Sequence, residues 1–167
     1  MGIFALLADA MEYPRPGGLD NLEAHRRALQ GSPFDKPLQG FFQAIKKLEL
    51  SEWEEEYTRT FDLSPAVAPY VGFQVWGESY ERGNFMALVS RELQALQIDP
   101  GSELPDHLAP VFRYLDAAAV PHAEIVQALR PALQRMAEIL NKNQAKNPYS
   151  ALLQTAVLAS NELPVKS

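Results

Sequence analysis

The chain has 167 residues, 47% of them hydrophobic and 22% charged, and a formal net charge of −6. That length and balance suit one globular domain with a sizeable core and exclude a disordered chain. It holds no cysteine, which excludes disulfides, thiolate metal sites, iron–sulfur ligation and a cysteine nucleophile.

In chain order, Ile3, Leu6, Leu7 and Met11 predict a first helix ending before Pro14, and residues 14–18 a breaker loop. This opening is too short and too poor in basic residues for a membrane span or export signal, so a cytoplasmic, non-inserted protein is expected. Asp20 with Glu23 resembles a capping box for a second helix through Leu22, Arg26 and Leu29. After a loop over 31–37, Leu38, Phe41, Phe42, Ile45 and Leu48 form a helical stripe. Ser51 and Glu54 are the expected cap of a helix carrying Trp53, Tyr57 and Phe61 one turn apart, broken at Leu63-Ser64-Pro65.

Residues 67–76 are largely apolar and end at Gly77, with Pro69 obscuring where a helix starts. Ser79 opens a long helix through Phe85, Leu88, Val89, Leu93 and Leu96, closed by Asp99-Pro100-Gly101. Ser102 is the expected cap of the next helix, which carries Leu104, Leu108, Val111, Phe112 and Leu115 to about Ala118. In that register Pro105 falls in the first turn, Asp106 points to solvent and His107 lies on the flank of the apolar stripe. Pro121 opens a helix with Ile125, Leu129, Leu133, Met136 and Leu140 in register and a bend at Pro131. Asn147-Pro148 starts the last helix, and residues 162–167 are expected to fray. No segment alternates with period two, so an all-α, single-domain bundle of about eight or nine helices is expected over 1–167.

His25, His107 and His122 fall in separate segments outside any metal-binding array, and no phosphate-cradling or nucleophile motif is present. A catalytic reading would rest on Asp106 and His107, which point about 100° apart on a helix and would need a third group. The aromatic side chains crowd residues 53–85, and Glu49, Glu52, Glu54, Glu55 and Glu56 lie beside them. Aromatics at helical spacing are core by default, but a groove of such side chains with an acidic rim also suits an Arg-bearing peptide. The only basic doublets are Arg26-Arg27 and Lys46-Lys47, so nucleic acid is not an expected partner.

Three blocks go beyond pattern: Tyr57-Thr58-Arg59-Thr60-Phe61-Asp62, then Gly77-Glu78-Ser79-Tyr80-Glu81-Arg82-Gly83-Asn84-Phe85-Met86, then Glu103-Leu104-Pro105-Asp106-His107-Leu108. In content, order and separation they resemble the NarJ family of nitrate reductase assembly chaperones, a branch of the TorD/DmsD molybdoenzyme chaperones. Glu12-Tyr13-Pro14 resembles the family's opening, and the likeness runs to about Leu158. The resemblance implies an all-helical, non-catalytic chaperone that binds the N-terminal segment of a molybdoenzyme catalytic subunit, with cofactor-biosynthesis proteins as further partners. It implies no stably bound cofactor, since the molybdenum cofactor and iron–sulfur clusters belong to the client. By position, the implied peptide-binding residues are Tyr57, Phe61, Asp62, Tyr70, Phe73, Trp76, Glu78, Arg82, Leu104, Pro105, Asp106, His107 and Tyr114. The rival readings are a structural accessory subunit retained in the reductase and, more remotely, a small helical hydrolase using Asp106 and His107.

Overall fold

Helices form wherever the apolar stripe recurs each turn. The computed structural model describes residues 2–164 and is all-α. Nine α-helices occur among the described residues: α1 (Ile3–Ala10), α2 (Gly18–Ala28), α3 (Asp35–Ile45), α4 (Leu50–Tyr57), α5 (Val71–Trp76), α6 (Tyr80–Ala95), α7 (Leu108–Ala117), α8 (Ala123–Gln144) and α9 (Pro148–Asn161). Among those residues the only β-type pairing is a single antiparallel bridge between Tyr70 and His107. Helix α1 packs on α7, α2 and α9, while α9 also covers α3 and α8, so the core runs between these helices. Its largest fully buried side chains include Leu6, Leu7, Phe41, Phe42, Phe112 and Tyr149. Each such residue contributes about 1.5–3 kcal/mol through removal from water.

The helix starts differ from expectation where packing overrides local capping. Helix α2 begins behind Gly17, whose φ of +78° glycine adopts freely, and Asp20 lies in the first turn rather than at the cap. The capping box of α4 is Glu49 with Glu52, not Ser51 with Glu54; the Glu49 N–H donates to Glu52 Oε1 at 2.8 Å. Starting there brings Leu50 into the helix and against the core.

Helix α4 runs into a π-helical turn, Thr58–Asp62, in which the Leu63 N–H reaches the Thr58 carbonyl at 3.1 Å. The turn holds Thr60 inward, where its hydroxyl donates to the Glu56 carbonyl at 2.7 Å and accepts from Asn147 Nδ2 at 2.7 Å. Asn147 caps α9 as expected, its Oδ1 accepting the Tyr149 N–H at 2.9 Å. Pro131 sits inside α8 and has no N–H to give the Gln127 carbonyl. Of the tail expected to fray, residues 165–167 lie outside the described residues. Glu162 and Leu163 are instead held in place, with Arg130 Nη2 donating to the Leu163 carbonyl at 2.8 Å.

Candidate functional site: a groove beside a buried carboxylate

Asp106 and His107 are not displayed to solvent; they are 0% and 2% exposed. Helix α7 starts at Leu108, so the register that pointed Asp106 outward from a helix capped by Ser102 does not exist. Residues 99–106 form a turn that carries Asp106 under the N-terminus of α5. Asp106 Oδ2 accepts from the Gly72 N–H at 3.1 Å and from Arg82 Nε at 3.0 Å, and Oδ1 accepts from Arg82 Nη2 at 3.2 Å. Val71 N–H donates to the Asp106 carbonyl at 2.8 Å, and Leu108 N–H to that of Pro69 at 2.9 Å. A carboxylate removed from water survives only when paired and hydrogen-bonded, and all of that compensation is supplied here. The fit is close: a methyl on Gly72 would lie 2.8 Å from Asp106 Oδ2 and 2.9 Å from Arg82 Cγ. Asp106 and Arg82 therefore position α5, α6 and α7 relative to one another.

His107 caps α7, its Nδ1 accepting the Ala109 N–H at 3.0 Å, which leaves the ring proton on Nε2. Burial holds its pKa below the ordinary value, against the pull of the Glu103, Asp106, Glu12 and Asp62 carboxylates. The Tyr70 ring stands edge-on to the imidazole, centroids 5.2 Å apart, and its hydroxyl donates to Glu103 Oε2 at 2.6 Å. Burial, then the Glu103 carboxylate, push the Tyr70 phenol up.

Two surfaces emerge from the expected set. One is a furrow of about 320 Å³ between Tyr57, Glu103 and His107 on one side and Glu12, Tyr13 and Arg113 on the other. Arg113 donates to Asp9 Oδ1 at 3.0 Å and Glu12 Oε1 at 2.5 Å. Asp9 also accepts from Asn21 and His25, a cluster hinted at in sequence only by two acids three residues apart, Asp9 on α1 and Glu12 just past its end. The other is a groove of about 350 Å³ where Val75 and Trp76 of α5 meet Glu81, Asn84 and Phe85 of α6 and Glu124, Gln127 and Ala128 of α8. Trp76 is 38% exposed there and leans on Phe85, ring centroids 5.4 Å apart.

The remaining expected residues divide among other places. Phe61 and Tyr114 belong to the core: Phe61 packs on the Tyr149 ring at 4.9 Å, and Tyr114 Oη accepts the His122 N–H at 2.8 Å. Tyr57 is also buried, donating to the Met11 carbonyl at 2.8 Å, and shows only an edge to the furrow. Phe73 is half-buried with the Arg82 guanidinium 5.7 Å from its ring centroid. Asp62, Glu78 and Leu104 are exposed and Pro105 is half-buried, all outside both hollows. Sequence reasoning missed Glu124, Gln127 and Ala128, which reach the groove only through the packing of α8 on α5. Among the described residues no His, Asp and Glu side chains converge as a metal site, and no helix is long and apolar enough to cross a membrane.

The described residues form an all-α bundle with an open groove lined by both apolar side chains and carboxylates. The chain belongs to the nitrate reductase delta subunit family, which it matches over residues 29–149, well over half its length. That family is one of chaperones for nitrate reductase assembly rather than of catalysts. The matched span includes the Asp106–Arg82 clamp and the whole groove, but not Glu12 or Tyr13 of the furrow. No curated protein matches the chain.

Proposed function

We propose that this protein is a cytoplasmic chaperone that holds the N-terminal segment of a molybdoenzyme catalytic subunit, a nitrate reductase first among them, until the molybdenum cofactor is inserted. The observation that carries this reading is the groove at Trp76. Its volume of about 350 Å³ falls in the range of sites that engulf a few side chains, and its apolar lining of Val75, Trp76, Phe85 and Ala128 suits an apolar helix face. Membership of a nitrate reductase chaperone family supports a nitrate reductase subunit as the client. Of the residues first implied, Trp76 is assigned direct contact, while Asp106 and Arg82 act by fixing the helix that carries it. The chaperone carries no resident cofactor of its own in this scheme.

Calorimetry with a peptide copying the leading segment of the client's catalytic subunit tests this. The wild type should bind, and Trp76→Ala should weaken binding by about 2–4 kcal/mol, as for an aromatic hot spot, with little change in melting temperature. Undetectable binding to the wild type, or full affinity in Trp76→Ala, would overturn it. Recovery of the protein as a stoichiometric component of the mature reductase would favour the retained-subunit reading instead.

A further inference from the structure

The two walls of the groove carry the same pattern. Helix α6 lines it with Glu81, Asn84 and Phe85, and helix α8 with Glu124, Gln127 and Ala128. Each set is spaced i, i+3, i+4, so each lies along one helical face. Both present a carboxylate in the first turn, an amide one turn further on, and an apolar residue beside it. Helix α5 packs against both α6 and α8, which scarcely touch each other, so the gap between them is a trough closed by Val75 and Trp76. The walls differ most in bulk at their apolar positions, Phe85 on α6 and the small Ala128 on α8.

The charges of the trough are all of one sign, for no Lys, Arg or His lines it. The nearest cation in sequence, Arg82, is committed to Asp106. Neither Glu81 nor Glu124 takes part in an ion pair among the described residues. Hydrogen bonds from its own backbone N–H and the Ser79 hydroxyl hold the Glu81 carboxyl below its usual range, so it is charged at neutral pH.

We propose that the trough selects its occupant by charge as well as by shape: a helical segment whose apolar anchor sits over Ala128 beside the Trp76–Phe85 ring pair, flanked by basic side chains that pair with Glu81 and Glu124. This rests on the reading of the groove as the client-binding surface and adds which feature of the client is read. A single-sign rim around an apolar floor favours a cationic amphipathic helix and disfavours an acidic one, so it discriminates among leading segments of similar hydropathy. The pairs lie at a solvated rim, where each is worth little alone and is weakened by salt.

The test uses the client's leading-segment peptide and a twin in which every Lys and Arg is replaced by Gln, each titrated against wild type, Glu81→Gln, Glu124→Gln, the double variant, Trp76→Ala and Ala128→Leu. Glu81→Gln and Glu124→Gln should each weaken the native peptide about twofold to fivefold, and together about tenfold, with a flattened salt dependence. The neutral twin should bind wild type and double variant alike, and Ala128→Leu should block both peptides by filling the space. Equal affinity of wild type for native and neutral peptides, or a double variant as tight as wild type at low salt, would overturn the charge selection while Trp76→Ala and Ala128→Leu still upheld the groove. A native peptide that ignores Trp76→Ala and Ala128→Leu, or does not bind at all, overturns both. Unchanged melting temperatures of the two Gln variants confirm that binding, not folding, is being read.

Discussion

Arg82 of α6 and Asp106 of the turn before α7 lie 24 positions apart in sequence and meet in two hydrogen bonds beside the start of α5. The Arg82 side chain is 12% exposed and that of Asp106 is fully buried. Removing one partner strands the other, so Asp106→Asn or Arg82→Met should each destabilise the fold by about 3–5 kcal/mol in urea unfolding. The double change Arg82→Met/Asp106→Leu should recover much of that, because an apolar pair avoids the desolvation cost. Any loss of client binding in Asp106→Asn should then track loss of folded protein. The sequence marked Asp106 as special through its motif, but assigned it to solvent. Its burial depends on Arg82 and on the bare backbone of Gly72, neither of which can be paired with it by local spacing.

Elements are joined by the same economy of polar contacts. Asn147 caps α9 through its Oδ1 and, through its Nδ2, ties that cap to Thr60 in the π turn ending α4. Asn147→Ala should cost about 2–3 kcal/mol, combining a lost cap with a buried Thr60 hydroxyl deprived of its donor. Asn147→Asp keeps the cap acceptor and should recover about 1 kcal/mol of it. Denaturant midpoints check both values, and faster amide exchange at the start of α9 should accompany the loss. The Asn-Pro start of this helix was plain from sequence, because a cap is a contact with the chain's own next turn. The π turn was not: it lies where Phe61 packs on the Tyr149 ring that Trp53 and Tyr57 also reach from α4, a partner supplied from across the core.

For the whole molecule, pH acts through the buried imidazole of His107. Its folded pKa is lowered, chiefly by burial, so the unfolded chain takes up a proton first as pH falls. Stability from this group is complete above about pH 6.5 and is lost as the pH drops below that value and through the folded pKa. Protonation also removes the Nδ1 acceptor that caps α7. His107→Asn, which keeps a cap acceptor without titrating there, should flatten the fall in unfolding free energy between about pH 6.5 and 5 relative to wild type. Asp9, whose carboxyl is held low by its Asn21, Arg113 and His25 hydrogen bonds despite burial, adds a separate loss only below about pH 4.

The sequence by itself determined the helices, the all-α class, the aromatic core and the family, since apolar periodicity, breakers and motif blocks are local and survive without knowledge of neighbours. Tertiary structure alone decided that Asp106 and His107 face inward and that the expected contact residues part company, with Trp76 joining a groove whose second wall comes from α8. The physical reason is that burial and charge pairing are properties of surfaces brought together from distant parts of the chain, and a helix's own spacing says which residues share a face, not what that face will meet.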